Sequence, residues 1–152
     1  MHVLPGDFGD SRVIELLRLH VARTRGETAP DGAHASDISR LQPPDVSFWT
    51  IWDGDALLGL GAWKRLSAEH GEIKSMHTVE SARRRGAGSA MLRHLMETAR
   101  ASGVSRLSLE TGSWAYFEPA RAFYRRHGFV ECPPFGDYRA DPNSVFMALA
   151  LR

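Results

Sequence analysis

The chain has 152 residues, of which 43% are hydrophobic and 24% charged, with one cysteine and a formal net charge of +1. This composition is typical of a globular protein and excludes a disordered or membrane-embedded chain, a generally nucleic-acid-binding surface and an intramolecular disulfide. Because the first residues, MHVLPGDFGD, also lack the layout of a secretory signal, we expect a cytoplasmic enzyme or binding protein without membrane or nucleic-acid partners.

The first half of the chain predicts a helix, a polar connection and a hairpin. Asp10 and Ser11 can cap a helix whose apolar side chains recur at helical spacing and which ends near Gly26. The polar, proline-containing residues 27–45 are typical of a loop, in which only residues 35–41 could form a short helix. The runs VSFWTIW and ALLGLGAWKRL predict two antiparallel strands joined by an Asp-Gly-Asp turn.

The second half alternates strands and helices. The run EIKSMHTV predicts a strand that leads into RRRGAGSAML, where a helix begins that ends at Gly103. The remaining predicted elements are a strand at RLSLE, a helix at PARAFYRRHGF and a final strand at SVFMALALR. Since no internal repeat interrupts this order, we expect one α+β domain with a mixed sheet over residues 1–152.

The stretch RRRGAGSAML has the chemistry of an anion site. A strand that enters a glycine turn at a helix N-terminus leaves backbone N–H groups unpaired and directs the helix dipole at the same point. The chain lacks the Gly-Lys-Ser/Thr ending of a P-loop, and Met91 stands where the dinucleotide fingerprint needs its third glycine. The sequence therefore predicts a site for another small anion, with a solvated arginine run at a capped helix as the structural alternative.

Two motifs carry a resemblance to a known family. The pattern R-x-x-G-x-G, from Arg83 to Gly88, resembles the acyl-CoA signature of the GNAT superfamily of N-acetyltransferases, and ARAFYRRHGF resembles the second motif of that superfamily. Further runs, GEIKSMHT, LSLETGS, CPPFGDY and DPNSVFM, resemble a bacterial subgroup with poorly defined substrates. The resemblance implies the GNAT fold, a three-layer α+β fold with a mixed, mostly antiparallel twisted sheet flanked by helices.

The resemblance also implies a binding site for the acyl donor, acetyl-CoA. Loop amides would hold its pyrophosphate, and strand backbone groups would pair with its pantetheine arm. Phe117 stands where many members of the superfamily have a CoA-contacting asparagine, a contact that Ser113 could replace. The residues implied at the donor site are Met76, His77, Thr78, Arg83, Arg84, Arg85, Gly86, Ala87, Gly88, Ser89, Ser113 and Phe117.

Tyr124 is the residue that the resemblance assigns as the general acid. A phenol, with an ordinary pKa of about 10, is protonated at neutral pH and can give its proton to a thiolate leaving group. The structural alternative is a core aromatic residue whose hydroxyl has found a partner.

Two glutamates are candidates for the general base. Glu72 lies eleven positions before Arg83, the spacing at which the histone-acetylating branch of the superfamily places its base, and strand alternation puts it on one face with Lys74, Met76 and Thr78. An ion pair between Glu72 and Lys74 on a solvated face is the alternative. Glu110, at the end of the LSLE strand, is the second candidate, with a capping role as its alternative.

These residues lead to the expectation of an acetyl-CoA-dependent N-acetyltransferase without a metal cofactor. A primary amine of a small molecule or peptide would attack the thioester directly in a ternary complex, and the backbone N–H of His77 would meet the oxyanion. Four aromatic side chains either line an acceptor pocket or serve as ordinary packing: Trp114, Phe117, Phe135 and Tyr138. The alternative function is a catalytically silent acyl-CoA-binding sensor or scaffold. A homodimer is left open.

Overall fold

The computed structural model describes residues 1–24, 41 and 44–151. Its helices are α1 (Ser11–Thr24), α2 (Ala87–Ala101) and α3 (Glu118–Arg126). Its strands are β1 (His2–Pro5), β2 (Val46–Asp53), β3 (Ala56–Arg65), β4 (His70–Thr78), β5 (Arg106–Gly112), β6 (Val130–Glu131) and β7 (Ser144–Ala150). They form a sheet in the order β1-β2-β3-β4-β5-β7-β6. The helix expected at residues 35–41 falls, except for Leu41, outside the described residues.

The sheet is mixed. The pairs β1/β2, β2/β3, β5/β7 and β6/β7 are antiparallel, whereas β4 and β5 run parallel. The predicted α+β class with a mixed sheet is therefore confirmed, and each strand and helix predicted within the described residues is present. In the described part of the chain, none of the helices combines the length and the apolar composition needed to cross a bilayer.

Local sequence signals account for the first helix and the hairpin. Asp10 caps α1, because its Oδ1 accepts a hydrogen bond from the Arg12 amide at 2.9 Å. The hairpin closes with Asp53 paired to Ala56, and Gly54 takes a φ of 58°, a value that favours glycine.

The chain divides into two compact units. Unit 1 contains the described residues of Met1–Lys64 together with Ile73–Thr98. Its core lies between α1 and the strands β2 and β3 and consists of Val13, Leu16, Leu17, Leu41, Phe48, Trp52, Leu60 and Ala62. The apolar stripe that predicted α1 is therefore the stripe that it buries.

Unit 2 contains Arg65–Glu72 and the described residues from Ala99 onward. Its longest pairing joins β5 to β7 over seven residues, from Arg106 opposite Ala150 to Gly112 opposite Ser144. The first three residues of β4 pair with β5, with Glu72 opposite Ser108. This register places the start of β4 directly beside the strand that carries Glu110.

Candidate active site

The predicted anion loop joins β4 to α2 in unit 1. After a 3-10 turn at Glu80–Ala82, Arg84 has a φ of 67° and Gly86 a φ of 86°. A positive φ is uncommon at a non-glycine residue such as Arg84. The two positive φ values within three residues bend the chain sharply into the helix. The first helical bond then runs from the Ala90 amide to the Gly86 carbonyl at 2.9 Å.

This bend leaves a group of amides without partners. Within the described residues, no hydrogen bond satisfies the N–H groups of Arg84, Gly86, Ala87, Gly88 and Ser89. The last three of these amides open α2, where the partial positive charge of the helix dipole is concentrated. The loop therefore has the donors and the field that an anionic group such as a pyrophosphate requires.

The three arginines of the loop differ in their surroundings. All three are exposed, but Arg85 forms an ion pair with Asp53, with Nη2 to Oδ2 at 2.8 Å. The side chains of Arg83 and Arg84 make no hydrogen bond or ion pair with any other part of the described chain. Arg83 and Arg84 are therefore better placed than Arg85 to give their charge to a ligand.

The middle of β4 departs from a regular strand. Ser75 has a φ of 56°, so the alternation that would place Glu72, Lys74, Met76 and Thr78 on one face does not extend through this residue. Glu72 and its neighbour Ile73 are both buried. A regular, half-solvated strand would have exposed one of the two.

The backbone of His77 is closely approached by β3. A Cβ added to Gly59 would lie 2.7 Å from the His77 carbonyl oxygen, so glycine is required at that position. The His77 side chain packs against His20 of α1, with the two Nδ1 atoms 3.1 Å apart. The side chain of His77 is therefore occupied by a contact within unit 1, and the pairing of residues 76–78 with the pantetheine arm stays a prediction.

The paired imidazoles are neutral at neutral pH. Burial lowers the pKa of His20 to about 3, with a further contribution from His77. Burial also lowers the pKa of His77 to about 4, and the charges of Arg23 and Arg83 add to this effect. The side chain of His77 therefore carries no positive charge that could stabilise an oxyanion.

Tyr124 lies on α3 in unit 2 and is only 7% exposed. Its ring makes edge contacts with Phe123 and Phe129 at centroid distances of 5.4 and 5.5 Å. Burial raises the pKa of the phenol above its ordinary value, so the hydroxyl is protonated at neutral pH. In the part of the chain that the structure describes, this hydroxyl makes no hydrogen bond, in contrast to the structural alternative of a core tyrosine with a partner.

Glu72 is a buried carboxylate, 5% exposed, at the start of β4. Its Oε2 accepts a hydrogen bond from the Tyr138 hydroxyl at 2.5 Å. From the sequence, Tyr138 is only a candidate pocket residue, and this contact with Glu72 was not predicted. The signal available was the CPPFGDY run, but nothing in its spacing connects it to β4.

Glu110 has a different environment. It is exposed and accepts a hydrogen bond from Ser144 Oγ at 2.7 Å. Because Glu72 lies opposite Ser108, which is two residues from Glu110, both glutamates lie on the same face of β4 and β5 in unit 2. The structure thus brings the two candidate bases to one face but buries only Glu72.

The two remaining donor-site candidates, Ser113 and Phe117, take part in local packing. Ser113 donates its hydroxyl to the Pro142 carbonyl at 2.7 Å, which leaves the hydroxyl oxygen as an acceptor. Phe117 is half-buried, and its ring lies against Gly112, where an added Cβ would come within 2.6 Å of Phe117 Cδ2. Neither arrangement reproduces the side-chain donor that an asparagine would supply.

Comparison with known proteins identifies the family of the chain. The sequence model of the Acetyltransferase (GNAT) family matches residues 13–129. The chain is 45% identical to the uncharacterized N-acetyltransferase YsnE of Bacillus subtilis (strain 168), over 99% of this chain and 100% of that protein. It is 42% identical to YedL of Escherichia coli (strain K12), another uncharacterized N-acetyltransferase, over 95% and 91% of the two chains. Its fold is similar to that of an aminoglycoside 6'-N-acetyltransferase solved in complex with coenzyme A, with a TM-score of 0.75 at 16% identity over 100% and 98% of the chains. The chain therefore belongs to the GNAT family of acetyltransferases and is an N-acetyltransferase.

Proposed function

We propose that this enzyme transfers the acetyl group of acetyl-CoA to a primary amine of a small molecule or peptide, by direct attack within a ternary complex. The observation that carries the proposal is a group of five amides at the start of α2, those of Arg84 and of residues 86–89, which make no hydrogen bond with the part of the chain that the structure describes. Together with the positive end of the helix dipole, these amides form a site to which an anionic group can bind. That a protein of similar fold was solved with coenzyme A supports the identity of the donor.

In this proposal, acetyl-CoA is bound mainly by backbone groups of the enzyme. The amides of Arg84 and of residues 86–89 bind the pyrophosphate, and the side chains of Arg83 and Arg84 add positive charge. The backbone of residues 76–78 pairs with the pantetheine arm, and the His77 N–H donates to the developing oxyanion. Since the imidazole of His77 is neutral, this stabilisation comes from the amide dipole alone.

The chemistry is assigned to two ionisable side chains. The amine nitrogen forms a bond to the thioester carbon while Glu72 accepts a proton from the amine. The carbon–sulfur bond then breaks, and Tyr124 donates its proton to the departing thiolate of CoA. Burial keeps the Tyr124 phenol protonated until that step. Glu110 is the alternative base, although its exposure favours a binding or structural role.

A screen of amines with acetyl-CoA tests the proposed function. We expect CoA thiol release to depend on the added amine, and the acetylated amine to appear in equal amount by mass spectrometry. The panel should include amino acids, small polyamines, aminoglycosides and a peptide with a free N-terminus. Binding of acetyl-CoA without transfer to any member, or release that does not depend on amine, would contradict the proposal and favour the silent acyl-CoA-binding protein.

The anion loop can be tested by the thermal shift that CoA produces. A ligand that binds only the native state raises Tm by mass action. We expect Gly86→Val to abolish the shift, because valine strongly disfavours the φ of 86° that directs the loop amides. Gly103→Val is the matched control, since Gly103 ends the helix that Gly86 begins, has a φ of 89° and likewise has open space around it. The control should lose a similar amount of intrinsic stability but keep the full CoA shift; equal shifts in both variants would refute the site.

A further inference from the structure

The contact between Tyr138 and Glu72 is not explained by packing alone. Tyr138 is 37% exposed, yet its hydroxyl donates to a carboxylate that is 5% exposed. A buried carboxylate without a hydrogen-bond donor is costly, and a donor fixes its orientation. We infer that Tyr138 is a positioning residue, which holds the Glu72 carboxylate in one orientation for proton abstraction; the inference rests on the proposed role of Glu72 as the base.

The ring of Tyr138 is itself held in place. It contacts Phe135 at a centroid distance of 5.1 Å and Phe146 at 5.5 Å, and these two rings contact each other at 5.8 Å. Phe135 and Phe146 are both buried, so the exposed tyrosine rests on a fixed apolar base. The position of its hydroxyl is therefore determined by the ring cluster, independently of Glu72.

The Tyr138 hydroxyl is a suitable hydrogen-bond partner for a general base. A phenol hydroxyl is neutral, so it favours the ionised carboxylate by one hydrogen bond without the large effect of an adjacent cation. A guanidinium or ammonium partner would favour the carboxylate so strongly that proton acceptance would become harder. Tyr138 thus orients the Glu72 carboxylate without itself placing a positive charge beside it.

Other titratable groups lie near Glu72, and they have to be the same in every variant that is compared. Those on the same face by register are His70 of β4 and, on β5, Arg106 and Glu110. Lys74 lies two residues along β4, and the residues that flank Tyr138 are Asp137 and Arg139. Burial and the charge of Arg106 lower the pKa of His70, whose Nε2 lies 2.7 Å from Ser108 Oγ. None of these groups changes in Tyr138→Phe. A difference in kcat/KM from the wild type is therefore due to the loss of the Tyr138 hydroxyl.

The test combines Tyr138→Phe with Glu72→Gln in a double-mutant cycle. The phenylalanine keeps the ring contacts and removes only the donor. We expect kcat/KM to fall by about tenfold in Tyr138→Phe, in line with the loss of a hydrogen bond to a charged group. In the Glu72→Gln background the same change should cost less than about twofold, because the carboxylate that it positions is gone. Tyr116→Phe, which removes another exposed phenol hydroxyl, should leave kcat/KM unchanged.

A second measurement does not depend on turnover. The NMR chemical shift of the side-chain carboxyl carbon of Glu72, measured at neutral pH in the folded protein without substrates, should differ between Tyr138→Phe and the wild type, because the hydrogen bond to that carboxylate is lost. An unchanged chemical shift, or an equal loss of rate in both backgrounds, would overturn the positioning role while leaving Glu72 as the base. Full activity of Glu72→Gln itself would instead overturn the assignment of the base, and the inference with it.

Discussion

Replacing Tyr124 with phenylalanine should lower the acetyl-transfer rate by about 10² or more, because the change removes the proton donor for the CoA thiolate. The ring contacts with Phe123 and Phe129 are retained. Since the hydroxyl makes no hydrogen bond with the described residues, its loss leaves no partner unpaired, and Tm should not fall. Single-turnover kinetics with a saturating amine measure the chemical step directly.

The design separates catalysis from packing. Acetyl-CoA should produce the same thermal shift in Tyr124→Phe as in the wild type, because the assigned donor contacts lie elsewhere. Phe123→Leu, on the neighbouring position of α3, is the matched packing variant and should lower Tm more than it lowers the rate. A near-normal single-turnover rate in Tyr124→Phe would show that Tyr124 is not the general acid and has a structural role.

Glu72→Gln should cut kcat/KM by about 10² at neutral pH, since a general base typically contributes 10² to 10⁴. Glutamine can still accept the hydrogen bond of Tyr138 through its amide oxygen, so the local structure should persist. It cannot accept a proton from the amine. The loss should shrink as the pH approaches the pKa of the amine itself, about 10 for an alkylamine, because free amine then forms without help from the enzyme.

Glu110→Gln is the matched comparison for this prediction. Glu110 lies on the same face of the strands but is exposed and accepts a hydrogen bond from Ser144. We expect a smaller effect with no dependence on the pH of the assay. If Glu110→Gln carries the pH-dependent loss and Glu72→Gln only lowers Tm, the two roles are reversed.

The elements predicted from sequence are those with strong local signals. The amide capped by Asp10, the positive φ of Gly54 and the glycine bend before α2 are properties of a few adjacent residues. Strands β1 and β6 were missed because they have four and two residues and acquire strand geometry only by pairing with β2 and β7. A short edge segment carries too few residues to show alternation.

The sequence by itself determined the family motifs, the order of the main elements and the anion loop, because each depends on residues close together in the chain. The tertiary structure decided which ionisable groups are buried and which groups they contact. The hydrogen bond between Tyr138 and Glu72 joins residues 66 positions apart, and the ion pair of Arg85 with Asp53 spans 32. Composition and spacing treat Glu72 and Glu110 as equivalent carboxylates. Burial and hydrogen bonding, which set the reactivity of a carboxylate, exist only once distant segments have packed.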